Sequence, residues 1–196
     1  MVAVSAQTGP REVDLVVTGG TVITVDSSGR IIPSGAVAID GSDIAAVGTA
    51  DAVAKQFRGR ETINASGQIV LPGLINTHTH APMVLYRGLA DDLPLMEWLN
   101  NYIFPAESKT VSPEFVRAGT RLAALEMIES GTTTFADMYY FEEEIARETR
   151  RAGLRGVLGQ TIIQFPVADA KTPADALARA EAYITEFRSD SLITPA

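Results

Sequence analysis

The 196-residue chain contains no cysteine, one tryptophan and two histidines. The missing cysteine removes three options together: a disulfide framework, a thiolate zinc site and a cysteine nucleophile. Any metal must be held by imidazole and carboxylate. Basic residues are also scarce, 16 Lys and Arg against 24 Asp and Glu, for a net charge of −8 with neutral His. No basic run occurs, so neither nucleic acid nor a membrane surface is an expected partner, because both recruit concentrated Lys and Arg. A small-molecule substrate is the better default. There is no apolar run of 18 residues, and Met1 to Glu12 lacks the basic start and continuous apolar stretch of a signal peptide. The chain therefore reads as a cytoplasmic globular protein, long enough to bury a core of its own.

What is present changes character near residue 70. Up to that point the pattern is one of short β-branched runs, Asp14–Thr18, Thr21–Val25, Ala36–Ile39 and Ile44–Val47, punctuated by Gly19-Gly20, Asp26-Ser27-Ser28-Gly29, Asp40-Gly41 and Gly48. Asp40-Gly41 between two apolar runs is a two-residue hairpin signal. Residues 1–70 are expected to form a small antiparallel sheet or β-sandwich leader, with a brief helix around Ala50 to Phe57 and a return to strand at Gly67–Val70.

Residues 71–196 alternate strand and helix. Leu74–Thr77 reads as a buried strand, and Thr132–Met138, Arg155–Ile163 and Leu192–Thr194 as three more. Ser112-Pro113 and Thr172-Pro173 each set a capping hydroxyl before a proline at the first helical position. Ser130-Gly131 and Ala152-Gly153 supply helix stops. Leu177, Ala180, Ile184 and Phe187 recur at helical spacing as one expected buried stripe. Strands alternating with helices of this length imply right-handed βαβ units and a parallel sheet, here of four strands without an internal sequence repeat.

The strongest chemical signal is Leu71-Pro72-Gly73-Leu74-Ile75-Asn76-Thr77-His78-Thr79-His80. It holds both histidines, two residues apart at the end of an apolar strand, and residues i and i+2 of a strand face the same side. Both imidazoles can converge on one ion, and neutral imidazole suits zinc, iron or nickel. A bare His-x-His is equally compatible with structural histidines; its setting, after a β-rich leader and a Pro-Gly turn, favours the metal.

That segment closely resembles the amidohydrolase superfamily of metal-dependent hydrolases. Ala81-Pro82-Met83, Tyr86-Arg87-Gly88-Leu89-Ala90-Asp91-Asp92-Leu93-Pro94-Leu95, Trp98-Leu99, Phe104-Pro105-Ala106-Glu107 and Gly131-Thr132-Thr133-Thr134-Phe135-Ala136-Asp137-Met138-Tyr139 resemble the branch of 5′-methylthioadenosine/S-adenosylhomocysteine deaminases and triazine chlorohydrolases. The resemblance runs from Val13 onward and implies the N-terminal part of a (β/α)8 TIM barrel, about four βα units, behind the leader. A complete barrel takes roughly 200 to 250 residues.

Carried over residue by residue, the resemblance makes His78 and His80 the first two ligands of one divalent metal, zinc first, with iron, nickel or manganese as alternatives. Glu107 matches the acid that accepts hydrogen bonds from ribose hydroxyls; its plainer alternative is an exposed carboxylate in a first helical turn. Trp98 matches an aromatic wall on which a purine could stack, against simple packing beneath a loop. Met83 and Leu89 are candidates for the same pocket. Asp137 is expected to hydrogen-bond behind the ligands, and Arg87, Asp91 and Asp92 to fix the long loop by charge pairing. Glu142-Glu143-Glu144 sits in a first helical turn, where negative charge is favourable without any further role.

The same resemblance puts two points in doubt. Related nucleoside enzymes can place an Arg near the end of the third barrel strand, whereas here the stretch reads Val157-Leu158-Gly159-Gln160-Thr161. Family members also carry further ligands, His and Asp, and a catalytic Glu and His in later strands, so those roles are expected beyond Ala196 and no catalytic residue is assigned within the chain. The implied reaction is attack of metal-activated hydroxide on an amidine-like ring carbon, such as C6 of an adenine, with ammonia leaving. The expected substrate is an aminated purine nucleoside or related N-heterocycle. The expected partners are the second half of the barrel and, once intact, further copies in a homo-oligomer. The chain alone is expected to be inactive. The alternatives are a triazine-type chlorohydrolase of the same branch and a non-catalytic binding or scaffold protein on the same fold.

Overall fold

The computed structural model describes residues 9–196, which divide into two compact units between Pro72 and Gly73.

The first unit is built on β1 (Arg11–Ile23), β2 (Ile31–Asp40), β3 (Asp43–Thr49), α1 (Ala50–Gln56), β4 (Phe57–Asn64) and β5 (Ile69–Val70). Where an antiparallel sheet or sandwich is expected, these residues form a single mixed sheet in the order β3-β2-β1-β4, with β5 also on β1. The reason is α1. Capped by Thr49, it carries the chain from β3 across to the far edge, so β4 arrives parallel to β1. Its Val53 packs with Val13, Val16, Ala36 and Ala38, which makes the helix the covering layer. Gly19-Gly20 does not separate two strands, since β1 runs through it with bulges against β2. There β1 changes neighbour, pairing with β4 up to Thr18 and with β5 from Thr21. Asp40 faces Asp43 across the β2–β3 hairpin, as its Asp-Gly pair predicts.

The second unit carries β6 (Leu74–Thr79), a 3₁₀ turn (Ala81–Tyr86), α2 (Leu95–Trp98), a π turn (Leu99–Ile103), α3 (Phe104–Thr110), α4 (Pro113–Glu129), β7 (Thr132–Tyr139), α5 (Glu142–Ala152), β8 (Arg155–Gln160), α6 (Pro173–Phe187) and β9 (Ile193–Pro195). The four strands are parallel and lie in chain order, β6-β7-β8-β9. Ser112 and Thr172 cap α4 and α6, the latter in a reciprocal box with Asp175. Gly131 and Gly153 take left-handed φ values of 81° and 76°, which end the helices before β7 and β8 at no steric cost. The core between sheet and helices includes Phe135, Leu158 and Ile193 from the strands and Val116, Ile145, Tyr183 and Phe187 from the helices. Among the described residues no helix is long and apolar enough to cross a membrane.

Three expectations are corrected here. The buried stripe of α6 is Ala176, Ala180, Tyr183 and Phe187, while Leu177 and Ile184 are 52% and 40% exposed. The stripe turns to centre on Tyr183 because its hydroxyl donates to the Leu158 carbonyl at 3.1 Å, and a tyrosine buries readily only with such a partner. Leu74 and Ile75 are exposed rather than buried, β7 being the one strand that pairs with β6 among the described residues. Arg87 pairs with Glu126 of α4 through its two terminal guanidinium nitrogens, at 3.0 and 2.6 Å, and not with Asp91 or Asp92.

Candidate metal centre and substrate cavity

Strand alternation carries His78 and His80 to one side of β6, with ring centroids 5.1 Å apart and planes at 79°. The His78 backbone N–H donates to Asn76 Oδ1 at 3.2 Å, a local turn where the pairing of β6 with β7 becomes irregular. His80 Nδ1 lies 2.6 Å from the Met138 carbonyl oxygen. A carbonyl only accepts, so Nδ1 carries the proton and Nε2 keeps its lone pair. That tautomer is the one a metal-binding imidazole needs, held by the kind of outer hydrogen bond that orients such ligands. The pair therefore fits two positions of a divalent ion's ligand set. Among the described residues no group of three or more His, Asp or Glu side chains is placed to hold a metal ion, so two imidazoles are what they offer.

The last residues of β7 organise what surrounds the histidines. Asp137 is buried, and its Oδ2 accepts the Ala81 N–H at 2.6 Å, just after His80. Burial pushes this carboxyl upward, and the Ala81 N–H opposes the shift. Met138 supplies the carbonyl to His80. Tyr139, 4% exposed, donates its hydroxyl to Glu107 Oε1 at 2.8 Å.

Glu107 is not an exposed helix carboxylate: it is buried on α3. Burial raises its pKa, and the Tyr139 and Tyr140 hydroxyls pull it back. A cavity of about 160 Å³ is lined by His80, Met83, Trp98, Glu107, Tyr139 and Thr161 among others. It brings together four of the side chains singled out in the sequence. His78 does not line it, and Leu89 is exposed away from it. Trp98 and Met83 also line a wider surface pocket with Arg87, Asp91 and Asp92. Glu142, the first of the acidic triplet, is wholly buried, accepts the Tyr139 N–H at 3.1 Å and is pushed well upward by burial and by Asp137. Its fixed place beneath the Tyr139 backbone sets it apart from an ordinary first-turn acid. Sequence reasoning passed over Tyr139 and Thr161. Tyr139 follows Asp137 by two residues on the same strand face, which is a usable signal; the Met138 carbonyl has none, because every residue carries one.

A four-stranded parallel α/β sheet with two convergent imidazoles at the C-terminal end of its first strand defines a class, and residues 69–195 match the amidohydrolase family: the chain belongs to that family. It is 48% identical over 181 residues to the 5-methylthioadenosine/S-adenosylhomocysteine deaminase 1 of Syntrophus aciditrophicus, covering 92% of this chain and 41% of that one. It is also 45% identical over 152 residues to the 5′-deoxyadenosine deaminase of Methanococcoides burtonii, covering 78% of this chain and 34% of that one. The chain thus spans about two fifths of the length of the curated relatives it matches. Among solved structures, an adenosine deaminase from Xanthomonas campestris with bound zinc superposes with a TM-score of 0.92 at 37% identity, over 95% of this chain and 43% of that one. The atrazine chlorohydrolase of Arthrobacter aurescens shares the fold, with a TM-score of 0.78 at 22% identity over 92% of this chain and 45% of that one.

Proposed function

We propose that this chain is the N-terminal part of a metal-dependent hydrolase that removes the amino group of an adenine-type nucleoside, with 5′-methylthioadenosine, S-adenosylhomocysteine and 5′-deoxyadenosine as the candidate substrates. The observation that carries the reading is the shared cavity of His80, Met83, Trp98 and Glu107, which sets an imidazole, an aromatic face and a buried acid around one space. His78 and His80 would hold two positions of the metal, zinc first and iron, nickel or manganese behind it. Bound there, such an ion supplies Lewis-acid activation of water at neutral pH. The chain's own residues do the rest of what this half contributes. The Met138 carbonyl keeps the proton on His80 Nδ1. Trp98 offers a flat face for the purine, and Met83 closes the apolar wall. Glu107, an acceptor when ionised, takes hydrogen bonds from the two ribose hydroxyls.

With two imidazoles and no third metal-binding side chain beside them among the described residues, activity is proposed to need further ligands and a proton shuttle from the remaining part of the barrel. A cytoplasmic setting is proposed on the cysteine-free composition. Ammonia release by the zinc-loaded full-length protein, measured against the three nucleosides and a chlorinated triazine, tests the reading. Turnover of the nucleosides with none of the triazine is expected. Chloride release without ammonia would overturn it in favour of the chlorohydrolase alternative.

A further inference from the structure

Three consecutive residues of β7 each hold a different part of the site, and the third has no role in what has been said of the reaction. Tyr139 is 4% exposed and its hydroxyl reaches Glu107 Oε1 at 2.8 Å. Its ring lies 6.2 Å from that of His80, tilted by 40°. Its backbone is tied as well, the N–H to Glu142 Oε2 at 3.1 Å. One rigid aromatic side chain therefore spans the distance from the imidazole just after β6 to the carboxyl on α3. Nothing in simple packing calls for the hydroxyl: a phenylalanine would fill the same volume and touch the same ring.

We propose that Tyr139 is the positioning residue for Glu107, its buried hydroxyl fixing the carboxylate so that the remaining acceptor sites meet a vicinal ribose diol at a set distance from His80. The inference rests on the nucleoside reading given above and deepens it, assigning the diol selectivity to a pair rather than to one acid. The chemistry is one of acceptor count and entropy. An ionised carboxylate has about four acceptor sites; the Tyr139 hydroxyl occupies one, and the Tyr140 hydroxyl also acts on the carboxylate. The glutamate side chain has three freely rotating bonds, and a carboxylate left to rotate must be ordered again each time a substrate binds. A hydroxyl that holds it in advance removes that loss from the binding step and leaves the chemical step alone. The hydroxyl also favours the ionised form of Glu107, the form that accepts from both ribose hydroxyls.

Steady-state kinetics of the zinc-loaded full-length protein on 5′-methylthioadenosine and on 2′,3′-dideoxyadenosine tests this. Tyr139→Phe is expected to raise KM for the diol substrate by roughly tenfold, the weight of one charge-assisted hydrogen bond, with kcat within about twofold and KM for the dideoxy substrate unchanged. Glu107→Gln should show the same selective loss, and the double variant should add little to either single one. If Tyr139→Phe fails to fold, crystal structures of the unmodified protein with and without 5′-methylthioadenosine decide: one Glu107 rotamer bonded to Tyr139 in both supports the role, and a carboxylate that leaves the hydroxyl on binding overturns it. Equal loss on both substrates, or a fall in kcat at unchanged KM, would overturn the positioning role. An unmodified enzyme that discriminates the diol while Tyr139→Phe discriminates it equally well overturns the positioning alone. An unmodified enzyme that deaminates neither nucleoside removes the underlying reading, and the diol with it.

Discussion

The two units of the chain use polar side chains differently. In the first, the ion pairs are exposed: Arg60 with Glu12 and Asp14, Arg30 with Asp26, and Arg11 with Asp40 all lie at the surface of the sheet. Its core is small, made of valine and alanine around Val53. The second unit has exposed pairs too, such as Arg87 with Glu126, but it also buries Glu107, Asp137, Glu142, Glu148 and Gln160. Burying a carboxylate is unfavourable unless donors meet it, so a unit that does so repeatedly gives up stability for fixed geometry. The first unit is organised for folding. The second is organised around the end of one strand, and it is there that the proposed reaction would be supported.

That contrast can be broken, the largest effects coming from the second core. Phe135→Ala should destabilise the second unit by about 3–5 kcal/mol, as expected for removing a fully buried ring, and urea unfolding reads it directly. A loss below about 1 kcal/mol would show that the strand and its helices are not packed together as described. On the proposed metal role, His80→Ala comes next. Zinc affinity of the full-length protein, measured by equilibrium dialysis, should fall by more than about 100-fold, since loss of a ligand exceeds loss of an outer-shell partner.

Acid provides a subtler separation. Glu148 is 3% exposed and is bonded by Arg121 at 2.7 and 3.0 Å and by Arg151 at 2.8 Å, which hold its carboxyl below the ordinary value. A carboxyl lowered in the folded state contributes stability that is complete above its unfolded pKa and is lost as the pH falls through the folded one. Thermal unfolding from pH 6 down to pH 2 should show that loss in the parent and a flatter acid limb in Glu148→Gln. Arg60→Ala in the first unit, where the partners are exposed, should leave the unfolding midpoint unmoved. Thr172→Ala removes one side of a capping box and should cost about 1 kcal/mol; no change would mean that α6 is held by its buried face alone.

What could be read from sequence was whatever depends on near neighbours in the chain. Alternation put His78 and His80 on one side of a strand, the Ser-Pro and Thr-Pro starts of α4 and α6 were visible, and so was the Asp-Gly hairpin. The four-strand parallel sheet followed from alternating texture. What stayed hidden depends on contacts distant in sequence. Glu142 sits in a first helical turn like its two neighbours, and its burial is decided by Tyr139 and Asp137 on a strand. The α6 stripe was misaligned because Leu177 and Ile184 match the period as well as Ala176 and Tyr183 do; the Leu158 carbonyl decides between them. Arg87 chose Glu126, 39 residues away, over acids four and five residues along. In the first unit, a mixed sheet could not be told from an antiparallel one, because that depends on which edge the seven residues of α1 reach.

The end of β7 has a consequence for how this gene can vary. Asp137 and Tyr139 act through their side chains, on the Ala81 N–H and on Glu107, while Met138 between them acts through its carbonyl and leaves its side chain exposed. Met138 also lines the cavity, so a saturation scan should separate two effects at 138: side-chain changes should alter the cavity wall, whereas proline or a deletion should disturb the backbone that holds His80. The atom that decides which nitrogen of His80 is free belongs to the backbone, and no change of side chain at 138 removes it.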